Sequence, residues 1–120
     1  MKVSEIKRDR FARKWLSEWR SDPPVYGRAS QLLDQFIERK PEVAWDLVLT
    51  LVHTAPDDNA LACVGAGPLE DLLCQHGATL IERVEAVARN DAHFVRCLAQ
   101  VWGENRMDSN VHKRMHRILM

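Results

Sequence analysis

Apolar side chains recur every three or four residues along almost the whole chain, and almost nowhere do they alternate with the period of two that a strand needs. Each such run forms one stripe on an α-helix, so an all-α chain is expected. Phe11, Trp15 and Trp19 recur four apart in a first helix from about Ser4, a plausible N-cap, to Arg20. Asp22-Pro23-Pro24 breaks it. A second helix, about Val25 to Arg39, carries Ala29, Leu32, Leu33, Phe36 and Ile37. Pro41 suits the first turn of a third, where a missing N–H costs nothing, with Ala44, Leu47, Val48, Leu51 and Val52 behind it.

Asp57-Asp58-Asn59 offers a cap for a fourth segment, which Gly65-Ala66-Gly67-Pro68 should interrupt or bend sharply. The next helix would start with Gly67 as N-cap and Pro68 in its first turn, and end at His76 with Gly77 as the left-handed C-terminal residue. Another, Ala78 to Arg89, presents Leu80, Ile81, Val84 and Val87. Asn90-Asp91 caps one more, whose stripe is Phe94, Val95, Leu98, Ala99 and Trp102, with Gly103 at its end. A last helix runs from Asp108 to Met120. The connections are short, so neighbours should be antiparallel. The expectation is one domain over residues 1–120, a compact bundle of about seven short helices. HEAT-like stacked hairpins are one arrangement of it, although no sequence repeat marks them.

With 46% hydrophobic and 28% charged residues, the chain can bury a core without metals or disulfides. No apolar run approaches the roughly 18 residues that would span a bilayer. The first residues, charged through Lys14, lack the apolar stretch of a secretory signal. A cytoplasmic protein is expected, with no membrane partner. Cys63, Cys74 and Cys97 sit among apolar residues and form no Cys-x-x-Cys pair, which points to free buried thiols. A zinc site recruiting His76 or His93 would need a spacing that matches no zinc signature.

The net charge is zero but unevenly spread. Residues 1–20 hold seven Lys/Arg and three Asp/Glu, and residues 111–120 hold three basic and no acidic residues. Residues 21–110 hold fourteen acidic and seven basic ones, a net of −7. Basic ends flank an acidic body, an asymmetry that can steer partners.

The stretch Leu61 to Gly103 contains A-G-P-L-E-D-L-L-C-Q-H-G at residues 66–77 and ends in V-W-G at residues 101–103. It resembles a family of small uncharacterised bacterial proteins that share A-G-P-L-E-D-L-L-x-x-H-G and a later V-W-G, with a weaker pattern around Trp45 and Leu51. The resemblance brings no activity with it. Members have the size of bacterial immunity and antitoxin proteins, an analogy of class alone.

Glu70 and Asp71 stand just inside a helix start, where the dipole favours carboxylates, and Glu70 could reach back to the Gly67 N–H as a capping box. The alternative is a carboxylate pair lining a groove for a basic partner. Side chains of adjacent helical residues point about 100° apart, so the two cannot readily share one metal or bond. His76, before Gly77, could cap helix-end carbonyls. His53 lies near the end of the third helix. Glu42, Trp45 and Asp46 could form a patch on that helix, or only a solvated face. Tryptophan can serve packing or an interface.

No catalytic signature is present. Gly65-Ala66-Gly67-Pro68 lacks the Lys-Ser/Thr of a phosphate loop, and there is no His-Glu-x-x-His or G-x-S-x-G. No enzyme activity, cofactor or metal is expected. The leading expectation is a non-catalytic protein-binding module, immunity or antitoxin-like, that meets a basic partner through Asp34, Glu38, Glu42, Trp45, Asp46, Glu70 and Asp71. The alternative is a nucleic-acid-associated regulator using the basic terminal helices. The helical reading predicts a far-ultraviolet circular dichroism spectrum with negligible sheet; strand content near the roughly one quarter usual in globular proteins would contradict it.

Overall fold

The computed structural model describes residues 3–103 and 105–120. In chain order the elements are α1 (Val3–Arg20), α2 (Arg28–Arg39), α3 (Pro41–Thr54), α4 (Asp58–Val64), a π-helical turn (Gly65–Leu69), α5 (Glu70–Ala88), α6 (Ala92–Leu98) and α7 (Ser109–Leu119). No strand occurs among the described residues, and none of their helices is long and apolar enough to cross a membrane. α4, the π turn and α5 run on as one bent rod, which leaves six separate helical units.

α3 organises the bundle. It buries Ala44, Trp45, Leu47, Val48, Leu51 and Val52 on one broad face and leaves Glu42, Asp46 and His53 exposed on the other. It packs against α1, α2, α4, α5 and α6. A stack of hairpins would give each helix only its near neighbours. Here the extents are 34 × 33 × 29 Å, and the arrangement is an irregular bundle.

The helix ends are closed in different ways. Asp57 accepts the Ala60 N–H at 2.8 Å, Asp91 the Phe94 N–H at 3.0 Å, and Asp108 the N–H groups of Asn110 and Val111 at 2.9 and 3.2 Å. Ser4 caps nothing, because α1 already includes it. α2 begins at Arg28 rather than Val25, and its N-cap, Gly27, has no side chain to offer. Glu18 of α1 takes over that role. Its carboxylate accepts the N–H groups of Ala29 and Ser30 at 3.1 and 3.0 Å and the Ser30 hydroxyl at 2.9 Å. Among the described residues it is the one charged side chain buried with the core, 5% exposed.

Gly65–Pro68, expected to interrupt or sharply bend the helix, does not interrupt it: the stretch forms a π turn between α4 and α5. Pro68 has no N–H to give to Val64 and would crowd its carbonyl. The turn widens instead, so that the Glu70 N–H reaches the carbonyls of Gly65 and Gly67. Gly67 therefore lies inside the helical rod and caps no start. Gly65 lets the π turn press on the end of α6; a Cβ there would strike the Cys97 carbonyl and come within 2.8 Å of Gln100 Cβ.

The expected stop at His76-Gly77 is only a kink, with His76 at φ −133° and ψ 20°, and α5 continues to Ala88. Gly77 is not left-handed, since Gly103 is the one described glycine with positive φ. It is small so that Val111 of α7 can approach. His76 does meet a helix-end carbonyl, but one on α2: its Nε2–H donates to the Ile37 oxygen at 2.6 Å.

α6 ends at Leu98, earlier than its apolar stripe suggests, because the N–H groups of Gln100 and Val101 turn back to the carbonyls of Cys97 and Leu98. Trp102 consequently leaves the helix and is 78% exposed. The thiols are free. Burial pushes Cys63 up to about 11 and Cys97 up to about 12, and also raises Cys74.

Burial opposes ionisation of Glu18, but the bonds from Ser30 and Ala29 and the nearby Lys14 outweigh it and hold its carboxyl below the ordinary value of 4.5. The stabilisation is thus complete above the ordinary carboxylate range and is lost as pH falls through the lowered value. Glu18→Gln turns a donor toward the α2 amides and should cost about 1–3 kcal/mol at neutral pH. Thermal melts at falling pH should show the gap between variant and wild type closing in acid.

Candidate functional site

The two segments that carry the family resemblance meet in space. Glu70 Oε1 accepts the Trp102 N–H at 2.7 Å, and its Oε2 takes Arg106 Nη1 at 3.2 Å. Arg106 Nη2 reaches Asp71 Oδ1 at 3.1 Å. One guanidinium thus bridges both adjacent carboxylates. Gly103, at φ +26°, makes the intervening bend, and a Cβ on it would lie 2.8 Å from Cys74 Sγ. Val101 and Met107 are buried on either side. Trp102 and Arg106 are therefore both tied to Glu70 at the start of α5, while the Trp102 indole stands in solvent. Glu70 does not form the expected capping box; its oxygens are spent on this loop.

Asp71 also faces α2. With Asp34, Ile37, Glu38 and Gln75 it lines a cleft of about 300 Å³. A smaller hollow of about 180 Å³ shares Asp34 and Asp71 and extends to Tyr26 and Pro68. The Tyr26 hydroxyl donates to Asp34, and that bond raises the phenol's pKa. Tyr26 is 62% exposed.

Of the residues expected at a partner surface, Asp34, Glu38 and Asp71 come together, with Glu70 directly behind. Glu42 and Asp46 lie elsewhere, on α3 beside Arg83. Arg83 pairs with Glu42, lowering its pKa, and also feels Asp46. Trp45 is not at the surface at all: it is buried, edge-on to Phe94 with ring centroids 5.9 Å apart. A tryptophan between two acidic helix positions can still face inward when the opposite neighbour is a core helix. Trp15 is buried and Trp19 packs against the core. His53 bonds Asp91 at 2.6 Å and stacks on His93, which meets Arg96.

The residues that sequence reasoning missed are Tyr26, Arg106 and the outward face of Trp102. Trp102 was readable only as the end of an apolar stripe. Its neighbour Gly103 was the available sign that the stripe had already ended.

These features define a small helical-bundle protein with a bridged Glu70–Asp71 pair beside an acidic cleft. The chain belongs to a family of unknown function, DUF6869, whose pattern matches residues 20–120. Neither a curated protein nor a solved structure matches it.

Glu70→Ala should release the Trp102 loop and cost about 1–3 kcal/mol, since it removes a charged acceptor from a backbone amide and from Arg106. Asp71→Ala loses only an exposed pair and should cost under about 1 kcal/mol. Thermal melts with tryptophan emission would resolve both effects; equal melting of the two variants would contradict the clamp.

Proposed function

We propose that this chain is a non-catalytic protein-binding module, of the kind an immunity or antitoxin-like protein uses to block a partner, acting in the bacterial cytoplasm. The partner presents a basic segment to the cleft of Asp34, Glu38 and Asp71. The observation that carries the reading is the convergence of those three carboxylates from α2 and α5 at one cleft, with Tyr26 exposed at its side. Interfaces are anchored by aromatic and charged groups of this sort, and charge complementarity speeds encounter. Trp102 supplies a second exposed aromatic, on the loop held by Glu70 and Arg106 to the same helix end. Anchoring the backbone of such a residue lowers the entropic cost of binding.

The nucleic-acid alternative draws less support. α1 packs on α2 and α3, whereas α7 packs on α5 and α6, so the basic ends belong to different parts of the bundle. Arg20 and Arg114 are also engaged, with Asp57 and Glu85.

Affinity capture with immobilised protein, read by mass spectrometry, would identify the partner. The expectation is a basic protein retained by wild type. Asp34→Lys with Glu38→Lys should weaken its binding at least about tenfold, and Trp102→Ala less so, with melting unchanged. Arg13→Glu with Arg117→Glu should leave it intact. Recovery of nucleic acid, lost only in the second pair, would replace this reading with the alternative.

A further inference from the structure

A second surface, of opposite charge, lies between α1 and α2. Phe11 and Leu32 form the floor of a groove of about 320 Å³, and Lys7, Arg10, Lys14 and Arg28 line it. No carboxylate lines it. Among the described residues, none of these four cations forms an ion pair within 4 Å, in contrast to Arg20, Arg83, Arg106 and Arg114, although Lys14 lies near enough to Glu18 to feel its charge. Leu32 belongs to the apolar stripe of α2, yet it is 38% exposed while Leu33 and Ile37 beside it are buried. The sequence stripe is thus wider than the part α1 covers, and its uncovered edge is this floor.

We propose that the groove is the docking site for an acidic amphipathic helix of a protein partner. Lys7 to Lys14 spans about two turns of α1. A trough of that length accepts two or three apolar side chains spaced i, i+3 and i+4 on a helix. The cations on both walls then face the flanks of the same helix, where glutamates or aspartates would meet them. A phosphate backbone has no use for the apolar floor. Charge complementarity and apolar depth together are satisfied by an occupant that carries both on a narrow ridge. This surface is independent of the acidic cleft and stands whether or not that cleft binds a basic partner.

The test uses the full chain and a fluorescein-labelled helical probe of about four turns, with leucines at i, i+3, i+4 and i+7 and glutamates on its flanks. One control replaces the glutamates with lysines; another keeps the composition but scatters the leucines. Fluorescence anisotropy should show the acidic amphipathic probe binding at least about tenfold more tightly than either control. Leu32→Glu, and separately Lys7→Glu with Arg10→Glu, should each weaken it at least about tenfold, while melting and capture through the acidic cleft stay unchanged. Leu32→Met should restore binding, which separates loss of the floor from loss of fold. Failure of the acidic probe to bind at about millimolar protein, or equal binding of the scattered control, overturns the proposal. Binding instead to phosphatidylglycerol vesicles or to a DNA duplex, or self-association abolished by Leu32→Glu, also overturns it and assigns the groove to that occupant.

Discussion

α3 buries one broad apolar face, Ala44, Trp45, Leu47, Val48, Leu51 and Val52, while Glu42, Asp46 and His53 stay exposed. Covering that face sets the rest of the architecture. α1, α2, α4, α5 and α6 are its cover, and Trp45 and Phe94 meet at its edge. Five neighbours around one helix cannot be supplied by successive hairpins stacked in a line. Covering the apolar face of α3 with five neighbours therefore selects a bundle over a solenoid.

Covering α3 brings helix ends close to neighbouring helices, where water cannot satisfy all their polar groups. The fold answers with side chains from other elements. Glu18 of α1 closes the start of α2, and His76 of α5 closes a carbonyl at its end. Glu70 of α5 receives the backbone of the Trp102 loop. These three residues share a logic: each is a polar group on one helix that completes the hydrogen bonding of a segment distant in sequence. Their removal loosens tertiary structure more than local helix.

The charge pattern changes meaning once folded. Much of the acidic surplus between residues 21 and 110 is used within the molecule, in caps at Asp57, Asp91 and Asp108 and in pairs of Glu42, Glu70, Asp71 and Glu85 with arginines. Two of those links, Arg20–Asp57 and Arg114–Glu85, join a basic end to the acidic body. What remains unbalanced is local: an acidic cleft between α2 and α5, and a cationic groove between α1 and α2. α2 contributes to both, with Asp34 and Glu38 toward one and Arg28 and Leu32 toward the other.

The helical class, the positions of α3 and α7 and the caps offered by Asp57-Asp58-Asn59 and Asn90-Asp91 were legible in the sequence alone. Local periodicity, proline and short polar side chains act within a few residues, and the chain carries them wherever it folds. The Gly-Pro stretch misled because a proline can be absorbed by a π turn when the helix is supported on both sides, and that support comes from α2 and α6. Gly77 read as a stop, yet it serves contact with Val111, a partner thirty-odd residues away. Trp45 and Trp102 exchanged their expected surroundings for the same reason: periodicity finds a stripe but cannot say which part of it a neighbour will cover. The bridge from Glu70 and Asp71 to Arg106, the buried carboxylate of Glu18, the cleft and the groove are all juxtapositions of distant residues. Only tertiary packing decides them, because the energy that selects them comes from burying α3 and satisfying the helix ends around it.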